Sequence, residues 1–555
     1  MHQHHHPYLR LALATAAAAA LTGGLLTVSA TTATAADSFK VAKADFNGDG
    51  IGDVVASAPG AYVSGHANAG QVVALYGSRT TGVTSAKRTV LSQNSGTVPG
   101  SAETGDWFGG ATAYADFNGD GYDDLAVASP YEKVGTDTDG GALAILWGSA
   151  SGLTGKASDV PDPAVSSHDN WGLALAAGDF DGDGKADLAV GSSSATLYVY
   201  KGGFSSSTGQ PGGRYTVKPP ILPGSSGFPY GPQQLTAGDV NGDGRTDLVV
   251  DGYETQTENG WNTNYYVPGT ASGLSVAGVK TLKPGIVTGI GDINGDGYGD
   301  IVTGAGWDAT TSDGQTVPDS SDGGRVSITY GSASGPASTT GITQNTGNVP
   351  GSSEKGDSFG WDLDLGDVNG DGYQDLVVSA PNEDLGSVSN AGMVTVMYGS
   401  ASGINTSTGL QSFEQNTTGV PGTSEKSDLF GADVKLDDVN GDGKADLVIG
   451  SYEDGGDGAV TYLPSTGTKI GTTGSRALSV TSVGVSTSGS AQFGALFADQ
   501  PTGGPGMRAR PSLRMGRISA GRRRDRSRVR PRRWRPGPVR RSPGPSARRT
   551  SPCPS

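Results

Sequence analysis

The sequence predicts an all-β fold built from repeated small sheets, and three observations carry that expectation. A nine-residue phrase, Asp45-Phe46-Asn47-Gly48-Asp49-Gly50-Ile51-Gly52-Asp53, recurs from Asp116, Asp179, Asp239, Asp292, Asp367 and Asp438, so the 555-residue chain holds seven copies. The first Asp residues of successive copies stand 71, 63, 60, 53, 75 and 71 positions apart, room for about four short strands with their turns. Ninety-two Gly and an aromatic content of 7% fit many turns and short strands better than long helices. One repetitive array is expected in place of several unrelated domains.

Inside the phrase, side-chain oxygens at positions 1, 3, 5 and 9 converge on one point only if the backbone wraps tightly. That is why Gly holds positions 4 and 6 in every copy. Oxygen donors without neighbouring His or Cys select a hard cation, and a flexible turn suits calcium better than strictly octahedral magnesium. Up to seven calcium ions are therefore expected. The candidate ligands are Asp45, Asn47, Asp49, Ile51 and Asp53 in the first loop, then Asp116, Asn118, Asp120, Tyr122 and Asp124 in the second. The third and fourth loops offer Asp179, Asp181, Asp183, Lys185 and Asp187, and Asp239, Asn241, Asp243, Arg245 and Asp247. The fifth and sixth offer Asp292, Asn294, Asp296, Tyr298 and Asp300, and Asp367, Asn369, Asp371, Tyr373 and Asp375; the seventh offers Asp438, Asn440, Asp442, Lys444 and Asp446. Position 7 varies freely, as expected if it lends only its backbone carbonyl.

Asp, Asn and Gly also form turns without any metal. A turn needs no third carboxylate, however, and acids hold positions 1, 5 and 9 in all seven copies. An EF-hand is excluded, because position 12 is Ala56 or Val127 where a bidentate Glu is required. Leu125-Ala126-Val127 and Leu248-Val249-Val250, just after their loops, read as strands. Each loop is thus expected in a strand-to-strand turn.

Further strands are expected at Thr196–Tyr200, Val72–Tyr76, Leu143–Trp147 and Val394–Tyr398, the last three before Gly-Ser turns. A unit of this size cannot cover both faces of its sheet, and stacking units in a ring does so while limiting exposed edges. Three linkers are near-copies: Gln93 to Gly109, Gln344 to Gly360 and Gln415 to Gly431 run Gln-Asn, then Val-Pro-Gly, then Glu-x-x-Asp-x-Phe-Gly. Their Phe108, Phe359 and Phe430 each precede the next loop by eight residues.

Phe-Gly, the loop, and then Ala58-Pro59, Ser129-Pro130 or Ala380-Pro381 resemble the FG-GAP repeat, found in integrin α-subunit heads and in secreted bacterial proteins. The resemblance covers about residues 37–499 and implies a seven-bladed β-propeller of four-stranded blades with calcium in strand-turn loops on one face. It also implies ligand recognition on the opposite face in adhesive members. The chain departs from the pattern at Trp171-Gly172, Tyr230-Gly231 and Pro284-Gly285, and Phe39-Lys40 precedes a first repeat two residues short. Pro284 puts the regularity of the fifth blade in question. Phe493-Gly494, an eighth opening without a loop, is read as a closing strand.

Residues 1–36 read as a secretory signal, with Arg10, an apolar run from Leu11 to Val28 and small residues up to Ala36. No later segment is long and apolar enough to span a bilayer. Residues 501–555 hold 17 Arg and one acid. A tail of +16 within a total of −16 leaves residues 1–500 at −32, which argues against nucleic-acid binding by the body. The tail, taken from residue 500, is expected to be disordered or the product of a shifted reading frame. The lone cysteine, Cys553, provides no disulfide, so calcium is the expected staple of an exported protein.

No catalytic constellation emerges. His66 and His168 read as loop residues, and Glu103, Glu354 and Glu425, recurring at one linker position, are expected to make one structural hydrogen bond three times. The function expected is a secreted, monomeric calcium-binding propeller that holds an extracellular protein or glycan. The alternative is a propeller hydrolase, lyase or carbohydrate-binding accessory using its channel and exposed Trp261 and Trp307 on polysaccharide.

Overall fold

The computed structural model describes residues 43–224, 231–257, 260–308, 311–312 and 315–498. The leader, the tail, Phe39 and Tyr230 lie outside them. The strands form seven antiparallel sheets in chain order, six of four strands and one of three, plus a two-stranded hairpin inserted in the fifth. The expected seven-bladed β-propeller is the fold.

Blade two shows the pattern: Ala111–Ala115 is innermost, followed outward by Asp124–Ser129, Ala142–Leu146 and Ala157–Asp159. Asp124–Ser129 is buried along its whole length because neighbouring blades cover both faces of the sheet. That explains why second strands read as continuous apolar runs and not as alternation. The shared cores are interblade: Phe46, Val55 and Val72 of blade one pack with Phe108, Leu125 and Val127. The third strands are Gln71–Leu75, Ala142–Leu146 and Met393–Met397, one residue earlier than expected. The chain leaves the sheet two residues further on, where Gly77, Gly148 and Gly399 each turn their N–H to a buried Asp.

Blade one is split between distant parts of the chain. Its three strands Val54–Ala58, Gln71–Leu75 and Arg88–Leu91 receive their inner partner from residues 494–498. Gly494 donates to the Ser57 carbonyl (3.0 Å), Ser57 to Leu496 (2.8 Å) and Ala498 to Val55 (3.0 Å). Ala44, bridged to Asp53, continues the same edge toward the first loop. Phe493-Gly494 thus fills the Phe-Gly position of blade one, and the eighth opening is the closing strand.

Blade five is complete despite Pro284: Val287–Gly291, Asp300–Ala305, Arg325–Thr329 and Thr339–Ile342 form four strands. Two asparagines of blade four replace the missing aromatic anchor. Asn264 Nδ2 donates to the Gly285 carbonyl (2.9 Å), and Asn262 Oδ1 accepts from the Gly285 N–H (2.9 Å). Polar clamping does here what apolar packing does at Phe108, Phe359 and Phe430, all buried. Trp171 fills the same slot in blade three, with its indole N–H on the Val160 carbonyl (3.0 Å).

Candidate metal centre

All seven loops occupy the turn between the first and second strands of a blade, on one face of the ring. In each, the position 6 Gly N–H donates to Oδ2 of the position 1 Asp at 2.8–3.0 Å. Gly50 at φ +79° shows why glycine is needed: this left-handed backbone turns the amide inward at low steric cost. The position 3 oxygen accepts from the position 5 N–H in loops one and three to seven. These bonds draw oxygen donors together. In the third loop, carboxylate oxygens of Asp179, Asp181 and Asp187 lie within 4.8 Å of one another.

Position 9 closes each turn. Asp53, Asp124, Asp187, Asp247, Asp300, Asp375 and Asp446 are fully buried, and Oδ1 of each accepts a backbone N–H of the turn after the third strand at 2.8–2.9 Å. Burial pushes Asp53 and Asp124 up to about 8 and the other five up to about 7, and the position 1 carboxylate pushes each further in the same direction. Like charges facing one another in an all-oxygen donor set fit a hard divalent cation, which would be held by positions 1, 3, 5 and 9.

Position 7 has a side-chain role the sequence reading missed. A Cβ on Gly48 would stand 2.7 Å from the ring of Tyr122, and Gly182, Gly242, Gly295, Gly370 and Gly441 are similarly covered by Arg245, Tyr298, Tyr373, Lys444 and Ile51. Six of the seven position 7 side chains therefore lie over the glycine of the preceding loop. Position 8 adds a backbone tie, as where Asp123 N–H donates to the Asp45 carbonyl (3.1 Å) and Thr246 N–H to Asp179 (2.9 Å). What these varied residues share is a ring or an aliphatic stem long enough to span two loops. The belt is interrupted at Gly119, where nothing lies within 4 Å of an added Cβ.

The third loop differs in charge. Lys201 Nζ sits 2.6 Å from Asp181 Oδ2, and that bond, with the neighbouring Asp187 and Asp183, holds the ammonium above its ordinary range.

Other expected residues fall differently. The recurrent linker hydrogen bond is accepted by an Asp side chain, not made by a Glu side chain. Asp357 Oδ2 accepts the Glu354 N–H (2.7 Å), Asp428 the Glu425 N–H (2.6 Å) and Asp106 the Glu103 N–H. The shorter Asp reaches its own turn's backbone, which the Glu side chain is not used for. Trp261 and Trp307 are partly buried rather than exposed. His168 is buried against Trp171, its Nε2 3.4 Å from Asp162. In the central channel Lys435 is 1% exposed, lying 3.4 Å from Asp437 and over the Tyr114 ring. A cavity of about 240 Å³ between blades one and two has Gln93, Ser129 and Asp159 among apolar neighbours.

Residues 39–75, 231–260, 359–397 and 430–463 match the FG-GAP repeat, and residues 116–190 match the FG-GAP-like repeat. Phosphatidylinositol-glycan-specific phospholipase D of Rattus norvegicus is 36% identical over 152 residues, 27% of this chain and 18% of the relative. Integrin alpha-PS5 of Drosophila melanogaster is 33% identical over 171 residues, 29% of this chain and 16% of the relative. The chain thus spans under a fifth of the length of either relative. The Dos1 propeller superposes over 78% of this chain and 86% of its own, with 12% identity and a TM-score of 0.37.

Proposed function

From a chain of FG-GAP repeats folded as a seven-bladed β-propeller, we propose a secreted, calcium-binding module that holds an extracellular protein or glycan. The observation that carries this reading is the belt of loops, in each of which the position 1 carboxylate faces a buried position 9 carboxylate, an arrangement that calcium would balance. Calcium would fix the loop face as a rigid base and leave the opposite face for recognition. Three of the four large apolar side chains exposed among the described residues, Tyr62, Val134 and Val165, stand on that opposite face in adjoining turns of blades one to three. Integrin alpha-PS5 among the relatives agrees with a binding role. No described helix is long and apolar enough to cross a membrane, and the leader expected over residues 1–36 supports export.

A phospholipase D among the relatives raises an enzymatic reading. It receives less support here, since the match covers 18% of that relative and His168 is stacked in the core. A calorimetric calcium titration with melts in calcium and in chelator tests the proposal. Ions bound with affinities on the order of 10⁻³ M or tighter, and a melt lowered by chelator, are expected. No binding heat and an unchanged melt would reduce the loops to turn formers.

A further inference from the structure

We propose that Lys201 is a built-in cation of the third loop, closing it to calcium at concentrations that fill the other six. This rests on the calcium reading of the loops. Position 3 is Asn in six loops and Asp181 only in the third. The residue before the turn that ties down position 9 is Tyr76, Trp147, Pro268, Tyr330, Tyr398 or Pro464 in six blades and Lys201 only in the third. The one extra negative charge and the one extra positive charge therefore belong to the same site, and they touch at 2.6 Å.

Asp181 is nearly buried, its side chain 6% exposed, so its carboxylate is a partly desolvated anion that needs a partner. Lys201 supplies one from within the chain. The ammonium is also held over the Tyr215 ring, 5.9 Å from its centroid, and the Tyr215 hydroxyl is fixed in turn by the Leu274 N–H at 2.9 Å. A divalent ion entering among Asp179, Asp181 and Asp187 would either displace this anchored ammonium or share a carboxylate with it, and both oppose binding. In the fourth loop Arg245 lies 3.0 Å from Asp243, but at position 5 and with both side chains about one-third exposed, so solvent screens the pair. The position 3 residue of the other six loops is Asn and carries no charge to be paired.

The test counts bound ions by native mass spectrometry of the full chain, with calcium alone as probe, and measures affinities by calorimetry. Lys201→Tyr installs the residue found in blades one, five and six, and Lys201→Met is the second variant should the tyrosine disturb folding. The wild type is expected to hold six ions, and each folded variant seven, with affinity at the third loop raised at least tenfold. Seven ions of similar affinity in the wild type would overturn the proposal while leaving the calcium reading intact. So would a folded variant that stays at six. No bound ion in any of the proteins would refute the calcium reading itself, and the role of Lys201 with it.

Discussion

Removal of the closing segment should open the propeller, because among the described residues the inner strand of blade one comes from residues 494–498, with Ala44 at its end. Residues 491–498 place Phe493 and Phe497, both fully buried, in one core with Val54, Val448 and Val460 of blades one and seven. Truncating a buried Phe to Ala costs about 3–5 kcal/mol, so loss of both costs roughly 6–10 kcal/mol, comparable with the whole stability of a typical domain, about 5–15 kcal/mol. The backbone bonds of Ser57, Gly494 and Ala498 go as well, leaving a central strand with an unpaired edge. For a body of about 450 residues the unfolding entropy is on the order of 1 kcal/mol per degree. Phe497→Ala should therefore lower Tm by about 3–5 °C, and a chain ending at Ser490 by roughly twice that or more. Scanning calorimetry in saturating calcium, with a chain ending at Ala498 as the control, measures both. A chain ending at Ser490 that melts cooperatively within about 1 °C of that control would refute closure by this segment.

Two further outcomes follow from the same contacts. Asp49→Ala should remove one calcium ion and raise hydrogen exchange in the first loop while the remaining blades stay folded, since neighbouring repeats carry the stability; global unfolding at 25 °C would contradict it. Burial pushes Glu132 and Glu383 up to about 7, and each accepts at 2.7 Å from a buried amide, Gln93 or Gln344. The folded state then holds protons that the unfolded state has released, so stability present below about pH 4.5 is lost as pH rises through 7. Glu132→Gln with Glu383→Gln should raise Tm at pH 8 and leave it unchanged at pH 4, and equal shifts at both pH values would exclude titration as the cause.

The position of the acidic loops, the number of blades and the strand after each loop were legible in the residues alone. These depend on residues within nine positions of one another, or on apolar runs whose burial follows from the repeat. Even the closing role of Phe493-Gly494 was legible, because an eighth opening without a loop has to complete something. Tertiary structure alone decided what crosses between blades. Residues 498 and 44 lie on one strand edge although separated by most of the chain, and Asn262 and Asn264 stand in for the aromatic absent at Pro284. The side chains at position 7 look arbitrary in sequence because their partner is the preceding loop, 56–78 residues away in five pairs and 390 away where Ile51 meets Gly441. Lys201 finds Asp181 because the end of a blade's third strand returns to its own first turn. Antiparallel pairing and ring closure impose these meetings, and no local pattern encodes them.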